Sequence, residues 1–116
     1  MVNIIDVYSS LSDYLDNNQE IRNDLKNFEK AYDVNCYEQA KALCLLALNK
    51  QGITNPNLFA NLKEYYNDVD PAFKNIIDKC FSFIFRKYAR EMVQLKDGTI
   101  VSGKDYILKA WGSLKE

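Results

Sequence analysis

The sequence predicts an all-α protein, a compact bundle of five or six helices forming a single domain over residues 1–116. Three observations predict it. Apolar residues recur at helical spacing along most of the chain. Only four glycines and two prolines interrupt that pattern, most of them beside polar breaks. The composition, 47% hydrophobic and 27% charged, is that of an ordinary folded domain. A chain of this size buries roughly two-thirds of its unfolded surface, so it needs no metal, disulfide or cofactor to fold.

Asn3 is placed to cap a first helix whose apolar residues Ile4, Tyr8, Leu11 and Leu15 share one face, widened by Val7 and Tyr14. Asp16-Asn17-Asn18 ends it, and Asn18 caps a second helix with Ile21, Leu25, Phe28 and Tyr32 inward. Glu20 and Asp24 suit that helix's positive N-terminal end, while Arg22, Lys26 and Lys30 face water. Asp33-Val34-Asn35 reads as a break, because Asn35 and Glu38 have capping-box spacing; a helix running straight through is the alternative. From Tyr37 to Leu48 the apolar residues surround the helix on nearly every side, the mark of a buried element.

Gly52 is a natural stop, and Asn55-Pro56 starts a fourth helix, since proline in a first turn forfeits no hydrogen bond. That helix carries Leu58, Phe59, Leu62, Tyr65 and Tyr66 and ends before Asp70-Pro71, which repeats the same signal. The longest helix then runs from Ala72 to about Leu95, with Phe73, Ile76, Ile77, Cys80, Phe81, Ile84, Tyr88 and Met92 on one stripe. At 1.5 Å per residue it would span roughly 36 Å and form the spine. Gly98 is read as its stop, and Ser102 as the cap of a last helix bearing Tyr106, Ile107, Ala110, Trp111 and Leu114. Asp97-Gly98 between Val93-Gln94-Leu95 and Thr99-Ile100-Val101 is also a two-residue hairpin signal, kept as the alternative.

Fifteen basic and sixteen acidic residues leave a net charge of −1, so the whole-molecule field attracts neither nucleic acid nor an anionic membrane. The charge is uneven along the chain, about −4 over residues 1–35 and about +3 over residues 86–116. No apolar run approaches the ~18 residues of a membrane span. The start of the sequence lacks a signal-peptide pattern, and Cys36, Cys44 and Cys80 cannot all pair, so a reduced, cytoplasmic protein is expected.

The absence of histidine bears most directly on chemistry. It removes the commonest general base, the usual partner of a serine or cysteine nucleophile and the commonest zinc ligand. No cysteine pair has metal or redox spacing, and Cys44 and Cys80 sit in apolar runs as small hydrophobes do. No phosphate loop or nucleophile elbow is present. The sequence therefore implies no enzyme, no metal and no cofactor.

What remains is surface chemistry. Eight tyrosines, six phenylalanines and one tryptophan exceed what a small core holds comfortably, and tyrosine favours interfaces. Tyr65 and Tyr66 are adjacent, so a helix cannot aim both at one core position; with Asp68 and Asp70 they form an acidic, aromatic turn, to which Asp13 and Asp16 are added as candidate partner-binding residues. Trp111 is expected to dock the last helix. The leading expectation is a small protein that occupies the surface of a protein partner with a basic face, as inhibitors, immunity proteins, viral or phage counter-defence proteins and adaptors do. The alternative is nucleic-acid binding through Arg86, Lys87 and Arg90, with Tyr88 interleaved to stack a base. A ligand carrier using an aromatic cavity is a third class, and pairing with a second copy as a homodimer is left open.

Overall fold

The computed structural model describes residues 1–32, 36–49, 56–69 and 71–115, without the side chains of 28–32, 36 and 69. Among these residues are six helices and a small three-stranded sheet. Helix α1 (Ile4–Asn17) starts at a reciprocal cap: Asn3 Oδ1 accepts the Ile5 N–H at 3.0 Å, and Asp6 Oδ2 accepts the Asn3 N–H at 3.2 Å. Asn18 Oδ1 accepts the Ile21 N–H at 3.1 Å and so caps α2 (Gln19–Tyr32), as its position predicts. In α3 (Cys36–Leu48) Ala40, Leu43, Cys44, Ala47 and Leu48 are buried, whereas Ala42, Leu45 and Leu46 are half-covered. The helix is one-sided where the composition implied burial all round.

Both prolines stand at first helical positions, Pro56 in α4 (Pro56–Glu64) and Pro71 in α5 (Pro71–Tyr88), where the missing N–H costs nothing. The expected break at Asp33-Val34-Asn35, the Gly52 stop and the caps Asn55 and Asp70 lie outside the described residues. α4 continues into a π turn at Tyr65–Val69.

α5 is the centre of the bundle, packing against α1, α2, α3, the π turn and α6 (Gly103–Gly112). Seven residues of its predicted stripe, from Phe73 to Tyr88, are buried. The helix nevertheless ends at Tyr88, not near Leu95, and spans about 27 Å. This corrects the expected long helix, and Met92, assigned to its stripe, is 49% exposed on a strand. The hairpin alternative is the one adopted. β2 (Met92–Gln94) pairs antiparallel with β3 (Ile100–Ser102) and parallel with β1 (Val2–Asn3), in the order β1-β2-β3. The physical reason is Val93, which alternation between exposed Met92 and half-buried Gln94 turns into the core at 0% exposure.

The turn is also not the two-residue type. Gly98 N–H donates to Leu95 O at 3.0 Å and Leu95 N–H donates to Thr99 O at 2.8 Å, closing a three-residue loop with Gly98 at φ 88°. Past the hairpin, Gly103 N–H donates to Glu91 O at 2.8 Å, and the Ser102 hydroxyl accepts the Asp105 N–H at 3.4 Å to start α6. A Cβ on Gly103 would lie 2.1 Å from the Tyr88 carbonyl oxygen and 2.9 Å from that of Glu91. Both neighbours are backbone and cannot turn aside. Gly103→Ala is therefore expected to cost ~3 kcal/mol or more. Gly98→Ala, in open space but at positive φ, should cost about 1 kcal/mol. Urea unfolding midpoints of the two variants check the order.

Candidate functional site

The hairpin closes over the ends of α1, α3 and α6 and leaves a groove of about 760 Å³ between them. Among the described residues its floor is apolar, formed by Ile4, Ala47, Leu95, Val101 and Ala110. Tyr8 of α1 and Tyr106 of α6 line it, both half-buried, and neither phenol has a hydrogen-bond partner among the described residues. Burial pushes the Tyr8 hydroxyl above the usual phenol range. It pushes Tyr106 up to about 12, with Tyr8 and Asp97 adding to the shift. Both phenols stay protonated at neutral pH and keep an O–H to donate. The ammonium of Lys96 stands 5.5 Å from the Tyr8 ring centroid, and Lys109 lies one turn beyond Tyr106 on α6. None of these four residues was singled out as a site residue, because Tyr8 and Tyr106 fall on core stripes and Lys96 on a connection. Only the hairpin, the alternative reading of Asp97-Gly98, faces them to one another.

A second constellation holds α6 down. Asp78 Oδ1, on α5, accepts the Tyr66 hydroxyl at 2.5 Å and the Trp111 indole N–H at 2.8 Å. Trp111 also stacks on Phe81 with centroids 5.9 Å apart, so it docks the last helix as expected. Nearby, Asn67 Nδ2 donates to Leu114 O at 2.6 Å.

These contacts settle the places of the adjacent tyrosines. Tyr66 is 1% exposed and has no surface to present, which removes it from a contact patch and corrects that expectation. Tyr65 is half-buried, its ring edge-on to Phe73 at 6.3 Å. Asp68 is exposed in the π turn, and Asp70 lies outside the described residues. Asp13 is exposed on α1, and Asp16 accepts the Tyr37 hydroxyl at 2.5 Å, a bond that pushes Tyr37 up to about 12. The substantial contacts of α1 are with α5, α2, α3 and β1, and those of the π turn are with α4, α5 and the last turn, Ser113–Lys115. The two acidic groups thus belong to different elements, linked through α5.

Of the basic cluster, Arg86 and Arg90 are exposed. Lys87 Nζ donates to Ser10 Oγ at 3.2 Å and lies against the Phe83 and Tyr88 rings. Tyr88 is 7% exposed and donates to Asp6 O at 3.2 Å; its only proton is thereby used, so it accepts from the Ser10 hydroxyl. It is a core residue, not a stacking platform. Lys79, also on α5, pairs with Glu20 at 2.9 Å. Cys44 and Cys80 are fully buried free thiols in contact, each apolar packing rather than an exposed nucleophile, and mutual hydrogen bonding together with burial pushes Cys44 up. The side chain of Cys36 lies outside the description. Among the described residues no group of histidine, cysteine, aspartate or glutamate is arranged to hold a metal, and no helix is long and apolar enough to cross a membrane.

The outer face of the sheet is the other notable surface. Val2, Val93 and Val101 lie in register across the three strands and face inward. Alternation puts Met92 and Ile100 on the opposite face, and Met1, one residue before the Val2–Val93 pair, falls beside Met92. Met1 is 75% exposed and Ile100 50%. Strands of two and three residues are too short for period-two alternation to announce this face in the sequence. Comparison with protein families, with curated proteins and with solved structures finds no match to this chain.

Two predictions come from this geometry. Asp78→Ala leaves two donors without an acceptor and should cost ~3 kcal/mol, whereas Asp78→Asn, which keeps an acceptor oxygen, should cost about half of that in chemical unfolding. Raised phenols stabilise the fold fully below their ordinary value of 10.0, and that contribution is lost as pH climbs through the folded values. Thermal midpoints should therefore not fall on account of Tyr37, Tyr66 and Tyr106 until about pH 10 and should drop steeply toward pH 12. Tyrosinate absorbance in the native protein should lag that of the urea-unfolded chain over the same interval.

Proposed function

We propose that the protein acts by occupying the surface of a protein partner, in the manner of an inhibitor, immunity, counter-defence or adaptor protein, and that the outer face of the small sheet is the contact. The observation that carries this reading is the exposure of Met1, Met92 and Ile100 on one face of a sheet whose other face is buried. Met92 and Ile100 are held on short paired strands and Met1 directly precedes one, and covering these side chains releases water at roughly 25 cal/mol per Å². Asp13 and Asp68 remain exposed and available to a partner with a basic surface, as rim contacts worth more in orientation and encounter rate than in affinity. The buried pair Cys44 and Cys80 suits a reducing cytoplasm, where thiols stay unpaired.

Nucleic-acid binding through Arg86, Lys87 and Arg90 has less behind it, because Lys87 is already bonded and Tyr88 is buried. Its signature would be a steep fall in affinity with salt.

The test compares wild type with Met92→Glu/Ile100→Glu as bait in a native lysate, with and without nuclease and at low and high salt. A stoichiometric protein partner retained by wild type and lost by the variant, with thermal midpoints within a few degrees, is the expected result. Equal recovery by both baits would show that the sheet face is not the contact. Recovery of nucleic acid alone, lost as salt rises, would move the function to the basic cluster.

A further inference from the structure

The groove under the hairpin carries an inference independent of the sheet face. We infer that it is a binding site for a small organic carboxylate with a compact apolar body, the body lying on the floor between Tyr8 and Tyr106 and the carboxylate meeting Lys96, Lys109 and the two phenol hydroxyls.

Size and lining come first. About 760 Å³ lies within the 300–1,000 Å³ range of small-molecule pockets, and the lining is apolar with a few polar groups, the usual composition of such sites. Ile4 and Ala110 are 1% and 4% exposed and belong to the core that backs the groove, while half-buried Leu95, Val101 and the rings of Tyr8 and Tyr106 supply the accessible apolar surface. The polar groups decide the sign of the ligand. Among the described residues the Tyr8 and Tyr106 hydroxyls have no hydrogen-bond partner, Lys96 meets a ring face, and Lys109 has no ion pair. All four groups donate.

The carboxylates at the same mouth are Asp97 and Asp105, and each has a local role. Asp97 Oδ1 accepts the Thr99 N–H at 2.9 Å within the turn, which lowers its carboxyl below the usual range. Asp105 sits in the first turn of α6, where the helix dipole favours a negative charge. Two ammonium and two phenol donors, beside one carboxylate engaged in the turn and one held at a helix N-terminus, favour an anionic acceptor, and a carboxylate matches ammonium and phenol donors together. The apolar floor excludes a bare inorganic anion as the intended occupant, since such an ion leaves the floor uncovered.

A matched series of probes tests this on the unaltered protein: naphthalene-2-carboxylate, 2-naphthalenemethanol and 2-naphthylmethylammonium, titrated by two-dimensional amide NMR. The carboxylate should bind saturably with a Kd below about 1 mM and at least about tenfold more tightly than the ammonium probe. Its shifts should centre on Tyr8, Leu95 to Val101 and Tyr106 to Ala110. Lys96→Gln/Lys109→Gln should bring the carboxylate down to the affinity of the alcohol while leaving the alcohol unchanged. Tyr106→Phe should weaken the carboxylate by a smaller factor. The inference is overturned if the ammonium probe binds as tightly or more tightly, if the shifts map elsewhere, or if no probe saturates. Because the probe series needs no substitution, a variant that failed to fold would leave the decisive comparison intact.

Discussion

Everything at the hairpin end of this protein depends on the contact of Gly103 with the last turn of α5. Its N–H reaches the Glu91 carbonyl at 2.8 Å, and its missing side chain leaves room for the Tyr88 carbonyl. That approach brings the chain back beside the end of the spine after the hairpin. It thereby sets the start of α6, the distance between Tyr106 and Tyr8, and the depth of the groove. A side chain at this position would push the hairpin away from α5, and Val93, which pairs with Val2 and Val101, would lose its place in the core.

The other end of α6 is fixed by different chemistry. Asp78 receives two neutral donors from two separate elements, Tyr66 from the π turn and Trp111 from α6. Each donor would be costly to bury unpaired, so the carboxylate ties three elements into one unit. α6 is thus held by backbone contact at its start and by a carboxylate at its end. The groove lies along the span between, where its side chains are free to meet something other than this chain.

The two proposed surfaces lie on opposite sides of the same strands. Val101 faces the groove, while its neighbour Ile100 faces outward. A hairpin of three-residue strands couples them only through its backbone position, so occupation of one surface bears on the other through the hairpin itself. The bundle behind it, built on the stack of Tyr14 on Phe83 at 4.3 Å and the buried stripe of α5, supplies the rigidity.

By itself the sequence determined the helical class, the caps at Asn3, Asn18 and Ser102, the prolines that open α4 and α5, and the inward stripe of α5. These rest on interactions within a few residues, where hydrogen-bond geometry and the 3.6-residue period act locally. The docking of Trp111 was legible for a related reason, since an indole near the end of a helical stripe has the most surface to bury. Tertiary structure alone decided where α5 stops, because helix and hairpin are close alternatives for residues 89–102 and the choice rests on Val93 pairing with Val2, some ninety residues away. It decided which of Tyr65 and Tyr66 is buried through Asp78, and it brought Tyr8, Lys96, Tyr106 and Lys109 to one groove. Those outcomes depend on contacts between distant segments, and no local period or spacing encodes them.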